Sequence, residues 1–209
     1  MIAVLSLDKR LQSVVTISAF TAKGDLENLK SSLIAGLDSN LTINEIKEIL
    51  IQLYAYTGFP RSLNAINTFI SVLEARKSQG IEDVIGAEPE TLPVDKSRFE
   101  LGDEIQQTLI GAPASAPAFA FVPAIDVFLK EHLFADIFCR GVLDFQTREL
   151  VTIAALACLG GVSAQLRSHV RIGLNVGLSA DQLTDLITVL STAVGTTESN
   201  NLQDVINNM

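Results

Sequence analysis

Apolar residues recur along this chain at helical spacing, in blocks divided by short polar breaks. Leu26, Leu29, Leu33 and Leu37 fall three and four residues apart, which marks one apolar helix face. Asn40 to Glu45 reads as a stop and a new start, with Thr42 placed as N-cap and Glu45 placed to complete a capping box. The helix this predicts carries Ile46, Ile49, Leu50 and Leu53 and breaks at Gly58-Phe59-Pro60. It resumes with Pro60 in a first turn and runs to about Lys77. The opening block, Lys9 to Phe20, is apolar and rich in β-branched residues, so its pattern leaves helix and strand open.

Helical spacing returns from Phe119 through Phe121, Ile125, Phe128, Leu129, Leu133, Phe134, Ile137 and Phe138, and Gly141 ends it. This aromatic stripe predicts a core face. Asp144 is placed to cap the next helix, the most apolar in the chain. Gly160-Gly161 breaks that helix, and an amphipathic one follows through His169. Between the two helical regions, Ser78 to Pro117 mixes charges with small residues and holds Pro89, Pro93, Pro113 and Pro117. It reads as a connector with a short helix over Glu100–Leu109, and a connector this long is expected to pack on something.

The two helical regions resemble each other. Val15-Thr16-Ile17-Ser18-Ala19-Phe20 aligns with Val151-Thr152-Ile153-Ala154-Ala155-Leu156. After one extra residue in the later copy, Leu29 aligns with Leu166, Gly36-Leu37 with Gly173-Leu174, Leu41 with Leu178, Gly58 with Gly195 and Asn64 with Asn201. The stop-and-cap signature repeats as well, with Ser179 and Gln182 in place of Thr42 and Glu45. The expectation is an all-α protein built from a duplicated helical unit: a first repeat over residues 1–78, a connector over 79–117 and a second repeat over 118–209.

Composition narrows the function. The chain has 209 residues, of which 48% are hydrophobic and 19% charged, enough apolar material for a sizeable core. No apolar run is long enough to span a membrane, and Met1 to Arg10 lacks the pattern of a secretory signal, so a cytoplasmic location is expected. A net charge of −9 without a Lys/Arg cluster argues against nucleic acid and anionic membrane surfaces as partners. Two cysteines, Cys139 and Cys158, make no disulfide framework, and two histidines without Cys-x-x-Cys make no zinc site.

Against this background two polar residues stand out. On a helical projection Glu149 lies in line with Ile153, Leu156 and Gly160, and His169 flanks the stripe of Leu166, Val170, Gly173 and Leu174. An acid and an imidazole on apolar faces suit general acid–base chemistry. The plain alternatives are an acid favoured by a helix N-terminus and a histidine bonded to backbone. The repeats also differ in a complementary way. Ser13 and Ser32 occupy the positions of Glu149 and His169 in the first repeat, while Tyr54, Tyr56 and Phe59-Pro60 have Ser191, Ala193 and Thr196-Thr197 as counterparts.

Arg148-Glu-Leu-Val-Thr-Ile-Ala-Ala-Leu, Gln165-Leu-Arg-Ser-His169 and Asn175-Val-Gly-Leu resemble the carboxymuconolactone decarboxylase family. Tyr54-Ala-Tyr-Thr-Gly-Phe-Pro60 with Leu63-Asn-Ala, and Phe134 to Asp144, resemble further family segments. The resemblance implies rings of six repeats, hence a homotrimer of two-repeat chains. It also implies one of two chemistries. The hydroperoxidase-like branch places cysteines seven and four residues before the histidine, where this chain has Val162 and Gln165. Cys158 lies on the preceding helix, half a turn round from Glu149, and reads as a packing residue; Cys139 stands beside Arg140, whose charge would favour its thiolate, but has no partner in sequence and reads as structural.

The decarboxylase branch needs neither metal nor organic cofactor. The resemblance therefore implies a carboxy-lyase acting on a small carboxylated, lactone-like substrate. In that reading His169 is the proton donor or carbonyl polariser, Glu149 orients it or relays a proton, and Tyr56 completes the site from the other repeat. Arg140 and Arg148 are candidates for anchoring substrate carboxylates, with pairing to an acid across an interface the alternative for Arg148; Arg167 and Arg171, one turn apart on a polar face, are read as solvated. The other readings are a peroxidase-like antioxidant protein and a non-catalytic assembly protein.

Overall fold

The β-branched opening block folds as a helix. In the computed structural model, which describes residues 6–114 and 116–209, α1 spans Lys9–Lys23. Residues 1–5, part of the Met1 to Arg10 stretch read for a secretory signal, and Ser115, in the connector, lie outside the described residues. Asp8 caps α1 by accepting from the Leu11 N–H, and Gly24 ends it in the left-handed conformation (φ 73°). Val14, Val15, Ile17 and Ala19 are all fully buried, because α2 (Leu26–Asp38), α3 (Ile43–Ser78) and α7 (Phe145–Leu159) pack around α1. A helix covered on several sides has no single apolar stripe, which is why the periodicity was ambiguous.

The cap signals read from the sequence are in place. The described residues contain no strand. Thr42 with Glu45 and Ser179 with Gln182 both form complete capping boxes, and Asp144 caps α7. Within α3, Gly58 (φ 80°, ψ 160°) is the kink before Pro60. The connector contains α4 (Arg98–Ile110), slightly longer than expected, and its earlier part straps the start of α3: Ile43 and Asn44 donate their N–H groups to the carbonyls of Val84 and Ile85, each 2.9 Å.

The stretch from Phe119 is not one helix. It forms α5 (Pro117–Phe121), α6 (Pro123–Phe128), a π-helical segment Leu129–Ile137 and a 3-10 turn Phe138–Arg140, before Gly141 ends it as expected. Pro123 cannot continue α5 and starts α6 instead. The aromatic stripe divides at the same place. Leu133, Phe134, Ile137 and Phe138 are core, but Phe121 is 88% exposed and Phe128 64%. α4 packs against the π-helical segment so closely that Gly102 is obligatory: a Cβ there would lie 1.8 Å from the Lys130 carbonyl oxygen. Gly102→Ala is expected to cost about 3 kcal/mol by forcing the two backbones apart, read as a lower denaturation midpoint.

α8 (Ser163–Asn175), α9 (Ala180–Val189), a π-helical turn Leu190–Val194 and α10 (Thr196–Asn207) complete the chain. The order of two helices followed by a long helix broken at glycine thus occurs twice, with Gly58 and Gly195 at the breaks. Contacts match too. A Cβ on Gly36 would meet the Cδ1 atoms of Leu41 and Ile17, and one on Gly173 would meet those of Leu178 and Ile153. The halves do not form separate cores. Val151 and Ala155 of α7 belong to the cluster built mostly on α1–α3, while Val15 and Ala19 of α1 belong to the cluster built on α7–α10. α1 and α7 therefore share the centre, and each half buries the other.

Candidate functional site

α7 is buried continuously from Thr147 to Ala157, and Glu149 lies inside that run with no exposure. Its carboxylate meets α8: His169 Nδ1–H donates to Glu149 Oε2 at 2.8 Å. A carboxylate only accepts, so this bond sets the tautomer and leaves His169 Nε2 as the working nitrogen. Nε2 has no hydrogen-bond partner among the described residues, and the His169 side chain keeps 13% exposure.

Tyr56, on α3, packs edge-on against the same imidazole, with ring centroids 5.7 Å apart at 80°. Its hydroxyl is buried and has no hydrogen-bond partner, and neither does Glu149 Oε1. Burial first, then the negative charge of Glu149, pushes the Tyr56 ionisation upward, while Thr152 and Arg148 oppose the shift. Thr152 is nearby but engaged, donating to the Arg148 carbonyl (3.1 Å) and accepting from Gln52 Nε2 (2.9 Å). Tyr56 is therefore a neutral phenol whose hydroxyl, close to Thr152, has no partner within hydrogen-bond reach. One chain brings Glu149, His169 and Tyr56 together from three helices.

The two arginines face a different partner. Glu48 of α3 is 1% exposed and accepts from Arg140 Nε at 2.8 and 3.0 Å and from Arg148 Nη2 at 3.3 Å. Arg148 has no exposure; its Nη1 donates to Gln52 Oε1 (3.0 Å), and its guanidinium lies 5.4 Å from the centre of the Phe138 ring. Burial lowers its ionisation and Glu48 counters the effect. The guanidinium groups thus neutralise an internal acid that the sequence reading did not single out. Only Arg140 reaches a cleft, about 210 Å³, shared with Lys47, Glu48 and the connector residue Glu88. Arg171 is exposed, whereas Arg167 is half-buried with its Nε hidden and unpartnered, so the two are not an equivalent solvated pair.

Both cysteines are free. Burial, reinforced by Glu198, pushes the Cys158 thiol up to about 12, against the opposing charge of Lys23. Cys139 is also raised, by burial and then Glu90. The Arg140 guanidinium, next to Cys139 in sequence, turns to Glu48. Neither thiol is set up as a nucleophile.

A profile of the carboxymuconolactone decarboxylase family matches residues 123–206. The second half of the chain is a carboxymuconolactone decarboxylase family domain. The matched residues run from the start of α6 to the last turn of α10 and include Arg140, Arg148, Glu149 and His169; Tyr56 and Glu48 lie before them. No curated protein matches the chain. Five of the best-formed clefts among the described residues are lined by residues other than Glu149, His169 and Tyr56.

Proposed function

We propose that the protein is a cofactor-independent acid–base enzyme that decarboxylates a small carboxylated lactone, with His169, Glu149 and Tyr56 as its catalytic unit. The observation that carries this reading is the 2.8 Å bond from His169 Nδ1 to the fully buried Glu149 carboxylate. Such a pair holds an imidazole in one orientation and stabilises its protonated form. In the reaction, the bond from the ring carbon to the carboxylate breaks and carbon dioxide leaves. The electron pair moves through the conjugated double bond onto the lactone carbonyl. Tyr56, a neutral donor, faces the developing oxyanion. Protonated His169 returns a proton from Nε2 to carbon, and Glu149 keeps its place throughout.

The clefts leave this unit closed within one chain, so the substrate chamber is inferred to form where the exposed edge of His169 meets a second copy. Phe59, Leu63 and Ile70, each about half-exposed or more, give the second segment of α3 an apolar outer stripe for such a contact. The assembly inferred is a homotrimer, by the six-repeat resemblance. No helix among the described residues is long and apolar enough to cross a membrane, and with both cysteines free we place the protein in the reducing cytoplasm. The same closure suits a non-catalytic assembly protein, and one experiment separates the two. Purified protein of measured mass is supplied with a panel of carboxylated unsaturated lactones, and carbon dioxide release is followed. Turnover by a trimer is expected; no release from any member of the panel sinks the enzymatic reading.

A further inference from the structure

Tyr54, His132 and Asp136 form a second hydrogen-bonded chain that shares no residue with the first. His132 Nδ1–H donates to Asp136 Oδ2 at 3.0 Å, and Asp136 Oδ1 accepts from Arg98 Nε at 2.7 Å. This fixes His132 Nε2 as an acceptor, and it is bonded to the Tyr54 hydroxyl. Tyr54 therefore donates its own proton to His132, and its oxygen lone pairs stay available. Phe59 stacks on the Tyr54 ring, centroids 4.4 Å apart at 24°, and holds it in place.

This chain sits on a cleft of about 270 Å³ whose walls include Tyr54, Ile125, Phe128, Leu129, His132 and Leu133. Phe128 and Ile125 are exposed there, apolar surface that the fold leaves uncovered. No cationic side chain lines the cleft, and Arg98 is engaged by Asp136. The π-helical segment Leu129–Ile137 matters to the arrangement. It carries His132 and Asp136, four residues apart and on one face, where they meet Tyr54. Such segments are rare and concentrate at working sites.

We propose that this cleft binds a small, planar, uncharged ligand with a weakly acidic hydroxyl, of the phenol class, and accepts its proton. The apolar walls take the ring, and the ligand hydroxyl donates to the Tyr54 oxygen. As that O–H bond breaks, Tyr54 takes the proton and passes its own to His132 Nε2. The ligand is left as the phenolate and His132 as an imidazolium held by Asp136, with no electrons transferred. A carboxylate ligand would meet no free cation here, and a purely apolar one would leave the Tyr54 oxygen unused.

The test titrates the full chain with para-nitrophenol and follows absorbance. Saturable binding is expected, with the bound probe shifted toward its phenolate spectrum at a pH where the free probe is largely neutral. Y54F and H132Q are each expected to weaken binding about tenfold, the effect of losing one hydrogen bond, and to abolish the shift. D136N should still bind but lose the shift, which covers the case in which H132Q unfolds. E149Q leaves this cleft intact and should bind as the unaltered chain does. Absence of saturable binding, indifference to Y54F and D136N, or loss of binding in E149Q would each overturn the proposal.

Discussion

Glu48→Ala is expected to destabilise the fold by about 4 kcal/mol, because removing one partner of a buried ion pair leaves the other charge uncompensated. The carboxylate is 1% exposed and stands between two guanidinium groups. Arg140 keeps 31% side-chain exposure and can turn to water when Glu48 is lost. Arg148 has none, and its Nε already lacks a partner. What remains to hold its charge is one bond to Gln52 and the face of Phe138. The cost therefore falls on Arg148, and the double variant Glu48→Ala with Arg148→Met should recover more than half of the loss by removing the stranded charge. Urea unfolding measures both, and an unchanged slope would confirm that compactness is unaltered. A loss of under about 1 kcal/mol for the single variant is what an exposed pair would give, and it would remove Glu48 as the holder of this core.

The punctuation of the chain was legible because its causes are local. Thr42 and Glu45, Ser179 and Gln182, and Asp144 act within three residues of themselves, and each sits where the sequence placed it. The all-helical fold followed, and the family segments picked out Glu149 and His169 before any distance was known. What the pattern could not supply were partners set by long-range packing. Arg140 and Arg148 were visible as cations, but their fate rests on Glu48, 92 and 100 residues away. In sequence Glu48 is an ordinary acid on an amphipathic helix. Tyr54 and His132 lie 78 residues apart, so the spacing of His132 to Asp136 shows an i,i+4 pair but not the hydroxyl that meets it. The exposure of Phe121 and Phe128 escaped the periodicity for a related reason: a helical stripe shows which face is apolar, not whether anything covers it.

His169→Gln is expected to lower kcat for the proposed decarboxylation about a thousandfold and Glu149→Gln about a hundredfold, within the range of positioned acid–base groups. Glu149 acts through the imidazole it orients, so the double variant should be no worse than His169→Gln alone. Multiplying losses would show that the two residues act independently and would break the unit proposed here. Tyr56→Phe provides the sharper discriminator. Its hydroxyl is buried without a partner, a feature that costs folding free energy. Removing it should leave stability unchanged or raise it by about 1 kcal/mol. If Tyr56 donates to the oxyanion, the same change should lower kcat about a hundredfold with little effect on KM. A residue that only packs the core would show the same stability effect without the selective fall in kcat. A group that is worse than useless to the fold yet needed in the reaction is what a preorganised donor looks like, since its hydrogen bond is withheld until the substrate oxygen carries charge.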